Sequence, residues 1–532
     1  MVLQRDSEVK IWGWADADEE IRVTCDWADT KESIRTLVGI CVAWTGIVSC
    51  DALQAAVPTR DIAHGRRQLF LDDQLIAKTV NVTKVPGAIV KHRNNPIVRR
   101  DKPWDASRCD LYGSAIDDRK NQRIQLFYAA NNVPNGHEDR LAYAESLDRG
   151  KTWTKPELDV IPFGSHQRTN LVMLPPARVM HGPCVFRDEH ETDPGKRYKL
   201  ITSSYPDTAY LGIPRIYRHT GEFLYSVDNP KLPPNCGLPG MYVSYSPDGI
   251  HWKTPAVRIT NMMSDTAQSA FWDATANKYI AYVRARTANG RSAARMQSND
   301  FENWTVPEIV LEGTQAKSIY SLGVTPYEGI YIGTPWIFEP GAEKTDRPVI
   351  WPELATSRDG TTWVRPFPNQ PFIPCGPAGS PDSRQIRMSS SLVVLADKIL
   401  LLYGQSERGH QSVDMQVDIG MATMRLDGFA AMTAGEAEGS LLTKPLRFSS
   451  GKLYVNADVQ PGGYLRAEVI DEKGKVCTGF ELAACKEMTG DSIKVPLVWK
   501  ENSTISNARK KSCQIGFVLR KAKLYSFWID AE

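Results

Sequence analysis

The clearest regularity in the chain is a block of apolar strands that returns five times. From Asp110 onward each block reads as an apolar strand, a short turn, a second strand rich in Tyr, a third strand running into Ser-x-Asp and Trp, and a fourth strand. First strands are DLYGSAID from Asp110, HGPCVFRD from His181, QSAFWD from Gln268, SIYSLGV from Ser318 and IRMSSSLVV from Ile386. Their partners are RIQLFYAA, RYKLITSS, KYIAYVRA, GIYIGTPW and KILLLYGQ, and the fourth strands read KPELDVI, TPAVRIT, VPEIVLE and PFPNQPFI. The fifth block has a third strand, DIGMATMRLDGF, without the Trp turn. Units of this kind bury their faces only against one another, so they predict a closed ring, a five-bladed β-propeller. The strand RQLFLDDQLIA, Arg67 to Ala77, stands upstream as the candidate to complete blade five.

Past Ser440 the pattern changes to plain alternation. Leu453, Val455, Ala457 and Val459 share one face, as do Leu465, Ala467 and Val469, then Ile515, Phe517 and Leu519, then Tyr525, Phe527 and Ile529. Period two between Gly-rich turns predicts a small antiparallel β-sandwich. The fold class expected is therefore all-β: a leader over 1–56, the propeller over 57–435 and the sandwich over 440–532. Cys477 and Cys485 sit where a hairpin pairing is open to an exported protein.

The leader carries an uncharged run, Thr36 to Cys50, after Lys31 and Arg35 and before the small residues ALQAA. That order is a secretory signal, and the run is shorter than the ~20 residues of a membrane span. Segment 31–56 thus predicts a secreted or periplasmic protein beginning near Val57 with no transmembrane span. Ile47 to Cys50 also reads as a lipobox, which would make Cys50 a lipid-anchor point.

Composition narrows the chemistry. The 532 residues carry 64 Lys+Arg against 62 Asp+Glu, a net +2 that offers no field for nucleic acid. Ten Cys are too sparse for a disulfide scaffold. HxxEH, CxxC and EF-hand spacings are missing, as are Walker, Rossmann and G-x-S-x-G signatures, so neither metal nor cofactor is expected. Asp72 and Asp73 are adjacent on a strand or turn and face opposite ways.

Ser146-x-Asp-x-Gly-x-Thr-Trp is a full Asp-box, with shorter copies at Ser246 and Ser357 and a related turn at Ser298. Ser and Asp can bond turn backbone, Gly permits a positive φ, and Trp fills the space between sheets. These turns predict peripheral structure, not chemistry.

The axis of the ring is where strand heads converge. Reading those heads gives Asp110 and Tyr112, His181, Asp265 and Gln268, Tyr320, and Arg384 with Arg387, while Trp104 and Asp105 lie on the loop entering blade one as candidate sugar contacts. Glu353 lies on a third strand of blade four. Carboxylates, arginines and aromatics in one cavity suit a carbohydrate partner, anionic in view of the arginines, and two carboxylates can divide acid and base roles.

The stretches RQLFLDDQLI, NNPIVRRDKPW, YAESLDRGKTWTKPELDV, HGPCVFRD, FWDATANKYIAYVR, PYEGIYIGTPW and ELATSRDGTTW carry a resemblance. From about Gln68 to Phe429 the chain resembles the five-bladed propeller glycoside hydrolases, the superfamily with families 32 and 43, and more closely a bacterial group with an appended C-terminal sandwich. Residues 1–25 resemble the opening of bacterial sialate O-acetylesterases, and nothing of that esterase follows. The propeller resemblance implies a blade-one base or nucleophile at Asp110, with Asp105 second. It also implies a supporting Asp in blade two, where His181 stands, and an acid Glu in blade three, where Asp265 and Gln268 are nearest. Asp265 would then be the supporting or acid carboxylate, with Glu353 the alternative acid or His181 the proton donor, and Arg387 would clamp the substrate. Two other readings stay open: a glycan-binding propeller without catalysis, and an exo-sialidase, disfavoured because sialidases have six blades, an Arg triad and a Tyr–Glu nucleophile.

Overall fold

The computed structural model describes residues 59–531 except 133–138, 178, 206–216, 219–237, 342–347, 411, 413, 501 and 506–510. The leader, with its signal-like segment 31–56 and Cys50, lies outside the described residues. Within them the protein is nearly all β, and short 3-10 turns are the helical pieces.

Five antiparallel units form the blades. Blade one runs Arg108–Asp118, Arg123–Asn131, Arg140–Ser146 and Leu171–Met173; blade two runs Val179–Arg187, Tyr198–Tyr205, Gly240–Ser246 and Val257–Thr260. Blade three is Ser269–Asp273, Lys278–Thr287, Gly290–Ser298 and Glu308–Leu311. Blade four begins with Ser318–Tyr327 and Ile330–Glu339 and ends at Trp363–Val364; blade five holds Gln385–Met388, Lys398–Ser406 and Asp418–Arg425.

Alternation explains the stacking. On the second strand of blade one, Leu126 and Tyr128 pack with Leu400 and Leu402 of blade five, while Phe127 between them packs with Val185 and Leu200 of blade two. Both faces of each blade are therefore covered, which is why these strands read as nearly continuous apolar runs.

The ring closes through bonds between inner strands. Val185 N–H donates to Ser114 Oγ (2.9 Å), Gln268 N–H to the Gly182 carbonyl (3.4 Å) and Val324 N–H to Ser269 Oγ (3.1 Å). Leu392 N–H donates to Thr325 Oγ1 (2.9 Å), and Ser390 N–H to the Gly113 carbonyl (2.8 Å), returning to blade one.

The strand that completes blade five is not the expected one. Ile89–Lys91 pairs antiparallel with Ala422–Met424 as the outermost strand. Gln68–Leu69 and Ile76–Val80, from the segment proposed for that role, pair instead with Ser512–Asp530 and Gly439–Thr443 of the C-terminal sheet. Phe70 and Leu75 explain this: both are buried in the core of that sheet. The fourth strand of blade one is Leu171–Met173 rather than KPELDVI, and PFPNQPFI forms no strand, its place taken by Trp363–Val364.

The C-terminal unit is one ten-stranded sheet built on two long strands, Lys452–Asp471 and Ser512–Asp530. Their inward residues, from Leu453 to Val469 and from Ile515 to Ile529, enter a single core, so the sheet folds back over itself. A register break opposite Asn456 and Ala457 puts Leu524 rather than Tyr525 into that core, and Tyr525 lies under the Arg425 guanidinium instead. Cys477 and Cys485, open to hairpin pairing by their spacing, are free thiols. Asp427 ties the sheet to the propeller: it accepts from Tyr327 Oη, from Ser526 Oγ (2.6 Å) and from Asn456 Nδ2 (3.1 Å), with Arg67 Nε at 3.4 Å.

Candidate functional site

The inner strands of blades one, two and four each break register near their heads, between Asp110 and Ser114, between His181 and Cys184, and between Ile319 and Ser321. Bulges of this kind re-aim side chains, and here they turn Tyr112, His181 and Tyr320 toward a common axial cluster. Gly182 sits in the second bulge with φ +63, and a Cβ there would lie 1.9 Å from the Thr266 carbonyl oxygen.

The cluster is a chain of contacts through all five blades. Arg387 Nη1 donates to Asp110 Oδ2 at 2.6 Å, its other nitrogens reach Gln385 Oε1, and its guanidinium lies 5.5 Å from the Tyr112 ring centroid. Asp110 Oδ1 is buried and has no hydrogen-bond partner among the described residues. Tyr112 Oη donates to Tyr320 Oη (3.1 Å), which stands 3.2 Å from His410 Nε2. Tyr320 stacks on Trp336 and lies under Arg284, whose Cζ is 4.1 Å from its ring centroid. Arg284 Nη1 donates to Asp265 Oδ2 (3.2 Å), while Nε and Nη2 hold the Tyr320 carbonyl. His181 closes the path, its Nδ1 3.7 Å from Asp139 and its Nε2 3.7 Å from Asp265, edge-on to Tyr112.

Electrostatics follow from burial. Burial pulls the Arg387 guanidinium down, but Asp110 beside it outweighs that and the group is held above its ordinary range. Burial pushes the Tyr112 hydroxyl well up, with Tyr320 adding to it, so it stays a neutral donor. Burial, then Arg387, Arg284 and Arg291, push the His410 imidazole well below its ordinary value, leaving a neutral ring.

Asp110, Tyr112, His181, Asp265, Tyr320 and Arg387 therefore come together as expected from their strand heads. Four candidates do not join them as read. Trp104 is buried, donates from Nε1 to Asn170 Oδ1 (2.6 Å) and meets Phe163 edge-on, so no face is open to a sugar. Asp105 is buried beside it, accepting the Lys102 amide and the Tyr128 hydroxyl and paired with Lys155. Gln268 turns its amide onto the Ser264 and Thr266 carbonyls and so clamps the loop that carries Asp265. Glu353 accepts from Arg365 (3.2 Å) and the Asn369 amide (2.9 Å), residues that follow the outermost strand of blade four, rather than from any side chain of the axial set. Burial raises its carboxyl, and Arg365 only partly offsets that.

Asp139, Arg284, Arg286, Arg291, Gln385 and His410 were not anticipated. Arg284 and Arg286 lie at the tail of a second strand and Arg291 near the start of a third. The visible signal was the run RARTANGR, three like charges around one Gly-containing turn. No group of three or more His, Cys, Asp or Glu able to hold a metal occurs among the described residues.

The Asp-boxes lie on third-to-fourth strand turns. Ser146 Oγ accepts the Gly150 amide (2.8 Å), and Asp148 accepts the Lys151 and Thr152 amides (3.0 and 2.9 Å). Trp252 and Trp304 donate to the Gly249 and Phe301 carbonyls of their own turns.

No family model and no curated protein matches the sequence. Among solved structures, the chain is similar to a β-1,2-mannobiose phosphorylase from Listeria innocua at 12% identity and TM-score 0.42, over 64% of this chain and 97% of that one. It is similar to a glycosyl hydrolase from Bacteroides ovatus at 14% and 0.41, over 63% and 94%. An N-acetylgalactosamine deacetylase from F. plautii, in complex with blood group B trisaccharide, aligns at 15% and 0.40, over 66% and 97%.

Proposed function

We propose that the axial cluster is a carbohydrate site and that the protein hydrolyses a glycosidic bond there. The observation that carries this reading is Asp110: one oxygen is fixed by Arg387 at 2.6 Å, and the other is buried without a hydrogen-bond partner among the described residues. A carboxylate held by one oxygen, with the second free to accept, can take a proton from water as the water oxygen bonds to the anomeric carbon. The leaving oxygen needs a proton as its bond to that carbon breaks. His181, between Asp139 and Asp265, is the donor in place of the absent blade-three glutamate. Asp265 then supports His181 and anchors Arg284. Tyr112 and Tyr320 offer hydroxyls to the sugar. The export reading of segment 31–56, and of Cys50 as its anchor, belongs to the same proposal, since polymeric glycans are met outside the cell.

Glycan release from a panel of complex polysaccharides tests it, comparing the protein with Asp110→Asn and His181→Gln. Loss of release in both, with products identified by mass, supports the reading; equal release by all three removes the proposed roles.

A second reading rests on a specific arrangement. Asp110, Asp265 and Glu353 are each paired with an arginine, Arg387, Arg284 and Arg365. A site whose carboxylates are all engaged this way also suits recognition of a glycan without cleavage. Binding on a glycan array with no release from any glycan would favour it. The exo-sialidase reading loses ground with five blades and with Asp-boxes confined to turns.

A further inference from the structure

We propose that the protein has a second binding site, a groove between blades one and two that takes a small phosphate monoester on Lys120, Arg123, Arg187 and Arg197; the proposal is independent of the carbohydrate reading above. The groove opens to solvent and has a volume of about 410 Å³, inside the ~300–1,000 Å³ of small-molecule sites. It lies at the far end of the blades from the axial cluster. Asp118 and Arg187, which line it, close the inner strands whose heads carry Asp110 and His181. At ~3.3 Å per residue, the strand from Asp110 to Asp118 separates the two sites by roughly 20 Å or more.

The carboxylates of the groove are already engaged. Asp118 accepts from Asn121 Nδ2 (2.7 Å) and Arg123 Nε (3.1 Å) on one oxygen and from Arg187 Nη1 (3.3 Å) on the other. Burial works to raise its carboxyl, but Asn121 and Arg123 outweigh that and keep it ionised. Asp248 takes the Ile250 and His251 amides (2.8 and 2.9 Å) on Oδ1 and the His251 ring on Oδ2 (2.7 Å). Glu189, largely exposed, pairs with Arg187 Nε at 3.2 Å.

The donors are not used up. A guanidinium has five N–H groups and an ammonium three. Arg123 and Arg187 each keep an Nη2 that meets no acceptor among the described residues, although Asp118, Glu145 and Glu189 balance their charge. Arg197 spends Nη1 on the Asp188 carbonyl (3.0 Å) and pairs with no carboxylate among the described residues. Lys120, exposed at the rim, makes no hydrogen bond or ion pair among them. The groove is therefore rich in donors, short of acceptors and left with two unpaired cations. A phosphate monoester brings about −1.5 to −2 at pH 7 and acceptor oxygens only, and it suits fork-shaped guanidiniums. A carboxylate or sulfate ester brings a single charge and would leave one cation unmet. Tyr198, Pro194 and Pro247 supply carbon surface for the body of the ligand.

The test is calorimetry on the full-length protein with glucose 6-phosphate, beside glucose, glucose 6-sulfate and inorganic phosphate as separate probes. Glucose 6-phosphate is expected to bind tightest of the four, with affinity falling as salt rises. Lys120→Gln and Arg197→Gln should each weaken it roughly tenfold or more, the scale of a lost charge-assisted bond. Lys78→Gln, at an exposed lysine of the C-terminal sheet, should leave it unchanged. Should Arg197→Gln not fold, Lys120→Gln at the exposed rim carries the readout. No binding of glucose 6-phosphate overturns the proposal, as does binding that both groove variants leave intact. Lys78→Gln as damaging as Lys120→Gln also overturns it, reducing the effect to overall charge. Inorganic phosphate or glucose bound as tightly as the ester overturns the choice of ligand, and so does tighter binding of the sulfate. Each of these outcomes leaves the carbohydrate reading standing.

Discussion

Asp110, through Arg387, and His181 both meet Tyr112, and their variants should separate catalysis from recognition. Asp110→Asn preserves shape and the contact to Arg387 while removing a base, so glycan release should fall by about 10²–10⁴ with glycan affinity changed far less. Release measured beside equilibrium binding checks this; an unchanged rate would dismiss the role. Five of the candidate site residues were legible because each stands near the head of an inner strand, and Asp265 because it lies on the loop leading into one. Trp104, Asp105 and Glu353 were misread because their environments are set by distant partners, Asn170, Lys155 and Arg365, that no local pattern exposes. The arginines of blade three were missed for another reason. A second strand runs antiparallel to the first, so its tail, not its head, arrives at the axial end, and Arg284 and Arg286 occupy that tail.

At the scale of elements, the bulges decide where side chains go. Gly182→Ala asks a positive φ of an alanine and drives its Cβ into the Thr266 carbonyl. It should lower stability by at least about 1–3 kcal/mol in denaturant unfolding, and weaken glycan binding through His181 even where the fold survives. The Asp-box turns make an independent prediction. Burial works to raise the Asp148 carboxyl, but bonds from the Thr152 hydroxyl and amide and from Ser146 outweigh it and hold the group at about 2, and Asp300 is held at about 2 in the same way with Asn303. Both values lie below the ~3.9 of a free aspartate. The stabilisation is therefore complete above about pH 4 and is lost as pH falls toward 2. Thermal melts of Asp148→Asn/Asp300→Asn should show a lower Tm at neutral pH and a shallower fall between pH 4 and 2 than the parent. Parallel curves would discount the turns as a source of acid sensitivity. The repeated strands themselves were legible from periodicity, since apolar runs bounded by Ser-x-Asp turns leave few other folds. The closing strand was not, because Ile89–Lys91 is three residues long and its partner lies beyond residue 420.

For the whole molecule, Asp427 is a point where propeller and C-terminal sheet are joined by buried polar bonds. Asp427→Ala leaves Tyr327, Ser526 and Asn456 without their shared acceptor. Stability should fall by about 3 kcal/mol, the low end for a broken buried pair because Arg67 keeps 24% of its side chain exposed. Asp427→Asn, which keeps an acceptor and tolerates the φ of +61 found there, should lose clearly less. Chemical unfolding of the two variants checks the order, and equal losses would point to the backbone turn instead of the polar bonds.

The route of the N-terminal segment has a consequence for how the protein can be cut. Residues 60–86 supply strands to a sheet otherwise made from residues 430–530, and Ile89–Lys91 then fills the rim of the last blade. The two bodies are thus interleaved in sequence, and no single cleavage separates them: removing the tail at 440 strands the early residues, and starting after 91 opens the ring. During synthesis the first strands must wait, unpaired, for partners more than 300 residues away, so the C-terminal sheet cannot be finished before the ribosome has nearly released the chain. A protein so threaded folds and is degraded as one piece.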